Sequence, residues 1–221
     1  MSRIIPIVRD PYYQKDYIFT QNKVEFYPGI TILTGANGSG KTTLLNLIKK
    51  ECELQKVPVY FFSNYQSGGS NAQDHYLLSQ QFNFLATSLV SSEGEEIILS
   101  MNNQAKKIGT FIRDKGEAGE EIWILLDAMD SGLSIDNILD LKDFFRNILE
   151  YEKDKEVFFI VSANSYEMAK GENCLDVKHL KTVSFADYDD YRKYILHSSK
   201  EKKERYHKEE IKRKNRQLPT P

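Results

Sequence analysis

Apolar and polar residues are distributed along this chain in blocks, and four of the blocks are apolar on successive positions: "GITILTG" (29–35), "VPVYFFS" (57–63), "IWILLD" (122–127) and "VFFIVSA" (157–163). A strand covered on one face alternates apolar with polar residues. Unbroken apolar runs of this length predict strands covered on both faces, as in a parallel sheet. Between the runs the period changes. "TTLLNLIKKECELQK" (42–56) brings Leu44, Leu45 and Ile48 to one side of a helix, and "IDNILDLKDFFRNILEYEKD" (135–154) does the same with Ile138, Leu141, Phe145 and Ile148. Strands alternating with such helices predict an α/β fold with a central, mostly parallel sheet flanked by helices. The first 28 or so residues, rich in Tyr and Phe, read as edge strands of mixed pairing, an N-terminal antiparallel edge.

Two segments depart from this rhythm. "SGGSNAQDHYLLSQQFNFLATSLVSSEGEE" (67–96) opens on a Gly/Ser turn and continues as a short helical excursion. "NCLDVKHLKTVSF" (173–185) reads as two short strands around a turn, followed by a helix, "ADYDDYRKYIL" (186–196). Beyond Leu196 the chain becomes strongly charged, with 13 of its 25 residues Lys, Arg or Glu. The expected organisation is one domain over 1–196, with a reduced helical region over about 67–115, and a charged helical tail over 197–221.

Composition narrows the function classes. Charges nearly cancel (net −2), so bulk charge selects no partner. Two cysteines, Cys52 and Cys174, are too few and too far apart for a disulfide framework or a zinc site. The opening residues lack the apolar core of a signal peptide, and the longest apolar runs are strand-length, so a soluble cytoplasmic protein is expected.

The chemistry is concentrated in "LTGANGSGKTTLL", which contains Gly35-x-x-x-x-Gly40-Lys41-Thr42 between a strand and a helix. Here the backbone must turn its N–H groups inward around phosphate oxygens, in conformations that a Cβ resists. Gly35, Ala36, Asn37, Gly38, Ser39, Gly40, Lys41, Thr42 and Thr43 are therefore the expected phosphate cradle. Lys41 would reach the β- and γ-phosphates, Thr42 would place its hydroxyl on Mg²⁺, and the following helix would aim its N-terminus at the charge.

Several stretches together resemble the ATP-binding cassette (ABC) ATPases, over about Phe19 to Ala163. "GANGSGKTTLL" resembles their phosphate loop, and "SSEGEE" their signature sequence in its RecF-like, chromosome-maintenance form. "IWILLDAMDSGLS" resembles their Walker B strand and D-loop, and "YFFSNYQSGG" carries Gln66 where the family has its Q-loop glutamine. The resemblance implies a P-loop NTPase fold of ABC type, with ATP and Mg²⁺ as ligands and Thr42, Asp127 and Gln66 at the metal. It also implies that Ser92, Gly94 and Glu95 bind the γ-phosphate held by a second copy, in a two-fold dimer with ATP at the interface. An upstream aromatic would stack on the adenine, a role open to Tyr13 or Tyr17. Little chain separates Gln66 from Ser92, which disfavours a transporter subunit.

One expected residue is missing. Alignment on the family's Asp-Glu-x-x-Ser-Gly-Leu pattern, held in register by Ser131-Gly132-Leu133, puts Ala128 where the catalytic glutamate belongs. Ala163 likewise stands where the family has a histidine that senses the γ-phosphate. Loss of a general base costs about 10²–10⁴ in rate, so Lys41, Asp127 and Gln66 would support only slow hydrolysis. Otherwise another carboxylate, such as Asp130 or one from a partner, replaces the base. The expected role is an ATP-gated switch, or a non-hydrolysing scaffold for an effector protein. "KEKKERYHKEEIKRKNR" reads either as a solvated helix or as an arm for nucleic acid or a partner.

Overall fold

The computed structural model describes residues 2–8, 18–64, 105–116 and 119–217, with side chains of the last helix described through His207. Two antiparallel strands, β1 (Arg3–Pro6) and β2 (Lys23–Phe26), form a small sheet of their own. The N-terminal strands are thus antiparallel, as expected. They pair with each other and, among the described residues, not with the main sheet.

The main sheet contains β3 (Gly29–Thr34), β4 (Val59–Ser63), β5 (Glu121–Asp127), β6 (Glu156–Ser162), β7 (Asn173–Asp176) and β8 (Lys181–Val183). Its spatial order is β4-β5-β6-β3-β7-β8, parallel throughout except for the β7–β8 pair. The helices are α1 (Lys41–Leu54), α2 (described over 105–115), α3 (Ile135–Tyr151), α4 (Tyr166–Ala169) and α5 (Tyr188–Gln217). Among the described residues no helix is long and apolar enough to cross a membrane.

The two faces of the sheet explain the unbroken apolar runs. Alternate residues of the central strands enter different cores. Leu33, Trp123, Leu125, Phe158 and Ile160 face Leu44, Leu45 and Ile48 of α1 and the small N-terminal sheet. Ile32, Ile124, Leu126, Phe159 and Val161 face Ile138, Leu141 and Phe145 of α3, with Ile108 and Ile112 of α2. Each such side chain, once fully buried, contributes about 1.5–3 kcal/mol. Trp123 stacks on Phe158 with centroids 4.4 Å apart and meets Phe26 edge-on at 5.6 Å, joining the small sheet to the main one. The buried side of α3 also carries Lys142, whose ammonium donates to the carbonyls of Glu167 and Lys170 and pairs with Glu172.

The two helical stretches expected on either side of Leu196 are continuous. α5 runs through Leu196 without a break, as a single helix of 30 residues. The change there is from amphipathic to charged composition, and that is no stop signal. Lys, Glu and Arg propagate a helix well, and no Gly or Pro interrupts 188–217.

The strand order fixes the position of the site. β6 lies between β3, which feeds the phosphate loop, and β5, which ends in Asp127. Three strand ends therefore meet at the carboxyl edge of the sheet, where open α/β sheets bind ligands.

Candidate functional site

The loop between β3 and α1 folds as its glycines require. Gly35 and Gly40 both have positive φ, +140° and +108°. A Cβ on Gly40 would stand 2.8 Å from Ile18 Cγ2, and one on Gly35 would stand 2.7 Å from Ser39 Oγ. Conformation and close approach thus both demand glycine here. α1 begins at Lys41, so its free N–H groups and the positive end of its dipole face the loop's interior. A cavity of about 410 Å³ opens there. Asn37, Gly38, Gly40, Lys41, Thr42 and Thr43 form one wall, and Asp127, Ala128, Ser162 and Asn164 form the other, with Ile18 at the side.

Lys41 is buried, and its ammonium donates to the Gly35 carbonyl at 2.7 Å. Burial lowers its pKa from 10.5 to about 8. Asp130 and Asp127 oppose the shift, and the positive charge of Lys202 adds to it. A cation held partly against its desolvation cost is a group that an anion in the cavity would stabilise.

Asp127 ends β5 and is 2% exposed. The Thr42 hydroxyl donates to it at 2.9 and 3.2 Å from its two oxygens. Ser162 Oγ donates to Oδ1 at 2.5 Å, and Ser63 Oγ to Oδ2 at 3.3 Å. The two serines are the last residues of β6 and β4, on either side of β5. Parallel register pairs Ser63 with Asp127 and Leu126 with Val161, which delivers both hydroxyls to one carboxylate. Hard oxygen donors this close suit Mg²⁺, which takes one or two protein oxygens and keeps phosphate and water oxygens for the rest of its shell. Thr42 and Asp127 are the residues that fit it.

Ala128 is buried, lines the cavity and sits at φ +55°. That left-handed conformation costs a non-glycine residue about 1–2 kcal/mol. The turn is held from several sides. Ala128 N–H donates to Ser162 Oγ at 2.8 Å, Ser131 N–H donates to the Ala128 carbonyl at 3.2 Å, and Asn64 Nδ2 donates to the Ser131 carbonyl at 3.1 Å. Asp130 Oδ2 accepts the backbone N–H groups of Asn164 and Ser165 at 2.7 and 2.5 Å, tying the turn after β5 to the end of β6. Its Oδ1 is buried with no hydrogen-bond partner among the described residues.

The structure thus brings together the loop residues 35–43, Asp127 and Ala128. Ala163 is packed in the core, and the polar residues on either side of it, Ser162 and Asn164, line the cavity. Gln66, Ser92, Gly94, Glu95, Tyr13 and Tyr17 lie outside the described residues. Sequence reasoning missed Ser63, Ser162, Asn164 and the contacts from α5. Ser63 and Ser162 left one usable sign: each is the polar residue ending an apolar run.

Residues 24–169, about two thirds of the chain, match the family described as AAA domain. No curated protein matches the chain.

Proposed function

The chain belongs to the AAA domain family of P-loop NTPases, and from that premise we propose that it binds Mg²⁺–ATP at the loop after β3 and hydrolyses it slowly or only with a partner's help. The single observation that carries this reading is the constellation of a buried Lys41 beneath the glycine loop and a Thr42 hydroxyl 2.9 Å from Asp127. Loop amides and the N-terminus of α1 receive the phosphate chain, and Lys41 neutralises part of its charge. Thr42 and Asp127 would hold Mg²⁺, which when bound would offset the charge of the phosphate chain.

Slow turnover follows from the second wall. Ala128 occupies the position after Asp127 that faces the cavity, and a methyl group neither accepts a proton nor orients water. Ser162 and Asn164 line the same space. Neither is a carboxylate, and Ser162 is already engaged with Asp127 and Ala128 N–H. Asp130 is the nearest alternative base in sequence, and its Oδ1 is unpartnered among the described residues, but it is not among the residues lining the cavity and its Oδ2 is committed to two backbone amides. That favours a role in holding the turn.

The finer reading is an ABC-type, cytoplasmic homodimer in which ATP is sandwiched between copies. It rests on the resemblance of the signature, residues 92–95, and of the Walker B and D-loop pattern. On this reading ATP acts as a nucleotide-gated switch. A scaffold that never hydrolyses ATP but docks an effector is the second form of the same idea, favoured by Ala128. Titration of the purified chain with Mg²⁺–ATP, followed by sedimentation, tests both levels. Binding with a shift to a dimer is expected. Binding without a shift removes the sandwich and leaves the nucleotide site, and no binding removes the site.

A further inference from the structure

α5 lies wholly beyond the residues that match the family, yet one of its faces runs along the phosphate loop. The contacts recur at helical spacing. Tyr194 Oη is 3.3 Å from Thr34 Oγ1, at the end of β3. Ser198 Oγ accepts the Ala36 N–H at 3.1 Å, and Lys202 Nζ donates to the Asn37 carbonyl at 2.7 Å. Gly38 is so close that a Cβ there would stand 3.5 Å from Lys202 Nζ. Helix residues four apart share a face, so Tyr194, Ser198 and Lys202 form one line over Thr34, Ala36 and Asn37.

The approach is anchored at several points. Tyr191 is buried and donates its hydroxyl to the Asn164 carbonyl. Glu201 pairs with Lys178 at 2.9 Å, which fixes the helix against the β7–β8 turn. That pairing also occupies the acid beside Lys202. Among the described residues Lys202 has no carboxylate partner, and its ammonium is spent on a loop carbonyl. Two ammonium groups held against one small loop, with a cavity beside it, repel each other until an anion is present.

We propose that Lys202 is a second phosphate-binding cation of this site, carried by α5, which acts with Lys41 on the polyphosphate chain of a bound nucleotide. The proposal rests on the nucleotide-binding reading above. It recasts the charged tail: at least one of its lysines is held against the loop that borders the cavity. A charge-assisted contact of this kind strengthens as phosphate charge rises, so it favours ATP over ADP and ADP over AMP.

Calorimetric affinities for ATP, ADP and AMP with Mg²⁺, measured on the native chain, Lys202→Met and Lys202→Arg, test it. Lys202→Met should weaken ATP about tenfold, weaken ADP less and leave AMP unchanged, while Lys202→Arg restores most of the ATP affinity. The ligand-free melting temperature of Lys202→Met should change little, because the one hydrogen bond it loses is exposed. Equal ATP affinity in native chain and Lys202→Met overturns the proposal. So does a uniform loss for all three nucleotides that Lys202→Arg fails to rescue, since that marks a structural role. A native chain that binds none of the three overturns the nucleotide reading itself, and the Lys202 proposal with it.

Discussion

Raising the pH from 7 to 9.5 should release nucleotide from this protein while making the empty fold more stable. Both effects come from Lys41. Burial lowers its pKa from 10.5 to about 8 in the ligand-free site, and a phosphate chain beside it restores the preference for the charged form. Binding above pH 8 must therefore take up a proton, and the affinity falls by the factor 1 + 10^(pH−8). The loss is about twofold at pH 8 and about tenfold at pH 9 relative to pH 7. The phosphate's own last proton, with a pKa near 6, is already gone in this range.

Stability moves the other way. The folded pKa of Lys41 lies below its unfolded value, so between about 8 and 10.5 the unfolded chain binds more protons than the folded one. Unfolding is then opposed more strongly as the pH rises, by up to about 3 kcal/mol across the window. The opposite signs separate this effect from alkaline unfolding, which would lower affinity and stability together.

Calorimetry of ATP binding in two buffers with different ionisation enthalpies reads the proton directly, and uptake close to one proton is expected at pH 9. Lys41→Arg keeps its charge throughout, so its weaker affinity should be flat over the same range. Native affinity that is flat from pH 7 to 9.5, with no proton uptake, would refute the account of Lys41.

Two further outcomes follow from the loop and the strand ends. Gly40→Ala places a Cβ 2.8 Å from Ile18 Cγ2 at a φ of +108°. It should lower stability by about 1–3 kcal/mol in urea unfolding, followed by the fluorescence of the single, buried Trp123. ATP affinity should fall with it. Asp127→Asn removes the carboxylate that Thr42 faces at 2.9 Å. ATP should then bind no more tightly with Mg²⁺ than with a chelator, a loss of at least about tenfold in the metal-dependent part.

What was readable in the sequence, and what was not, divides along the range of the interactions. Strands β3 to β6 were legible because each is apolar on successive residues, and the structure supplies the reason: Leu125 faces α1 while Ile124 and Leu126 face α3. The loop was legible because it works through its own local backbone, and its glycines declare it. Ser63 and Ser162 were not. A serine ending an apolar run is unremarkable until parallel register sets one on each side of Asp127. Asn164 was passed over for Ala163 because a one-residue choice at a strand end depends on where the sheet stops, and here Ala163 is still core. The contacts from α5 were the least visible. Ser198 and Lys202 bind the N–H of Ala36 and the carbonyl of Asn37. Backbone partners leave no side-chain pattern to match, and they lie more than 160 residues away in the chain.

The central claim is that the site is complete for holding ATP and deficient for cleaving it, and that the deficiency lies at Ala128. Steady-state phosphate release by the native chain and by Ala128→Glu tests this most directly. The backbone there is already left-handed at φ +55°, so glutamate meets the same backbone cost as alanine, and its carboxylate enters the cavity that Ala128 lines. The account predicts native turnover well below the common enzymatic range of about 1–10³ s⁻¹, rising about 10²-fold or more in Ala128→Glu. A native rate at or above about 1 s⁻¹, unchanged by the substitution, would contradict it.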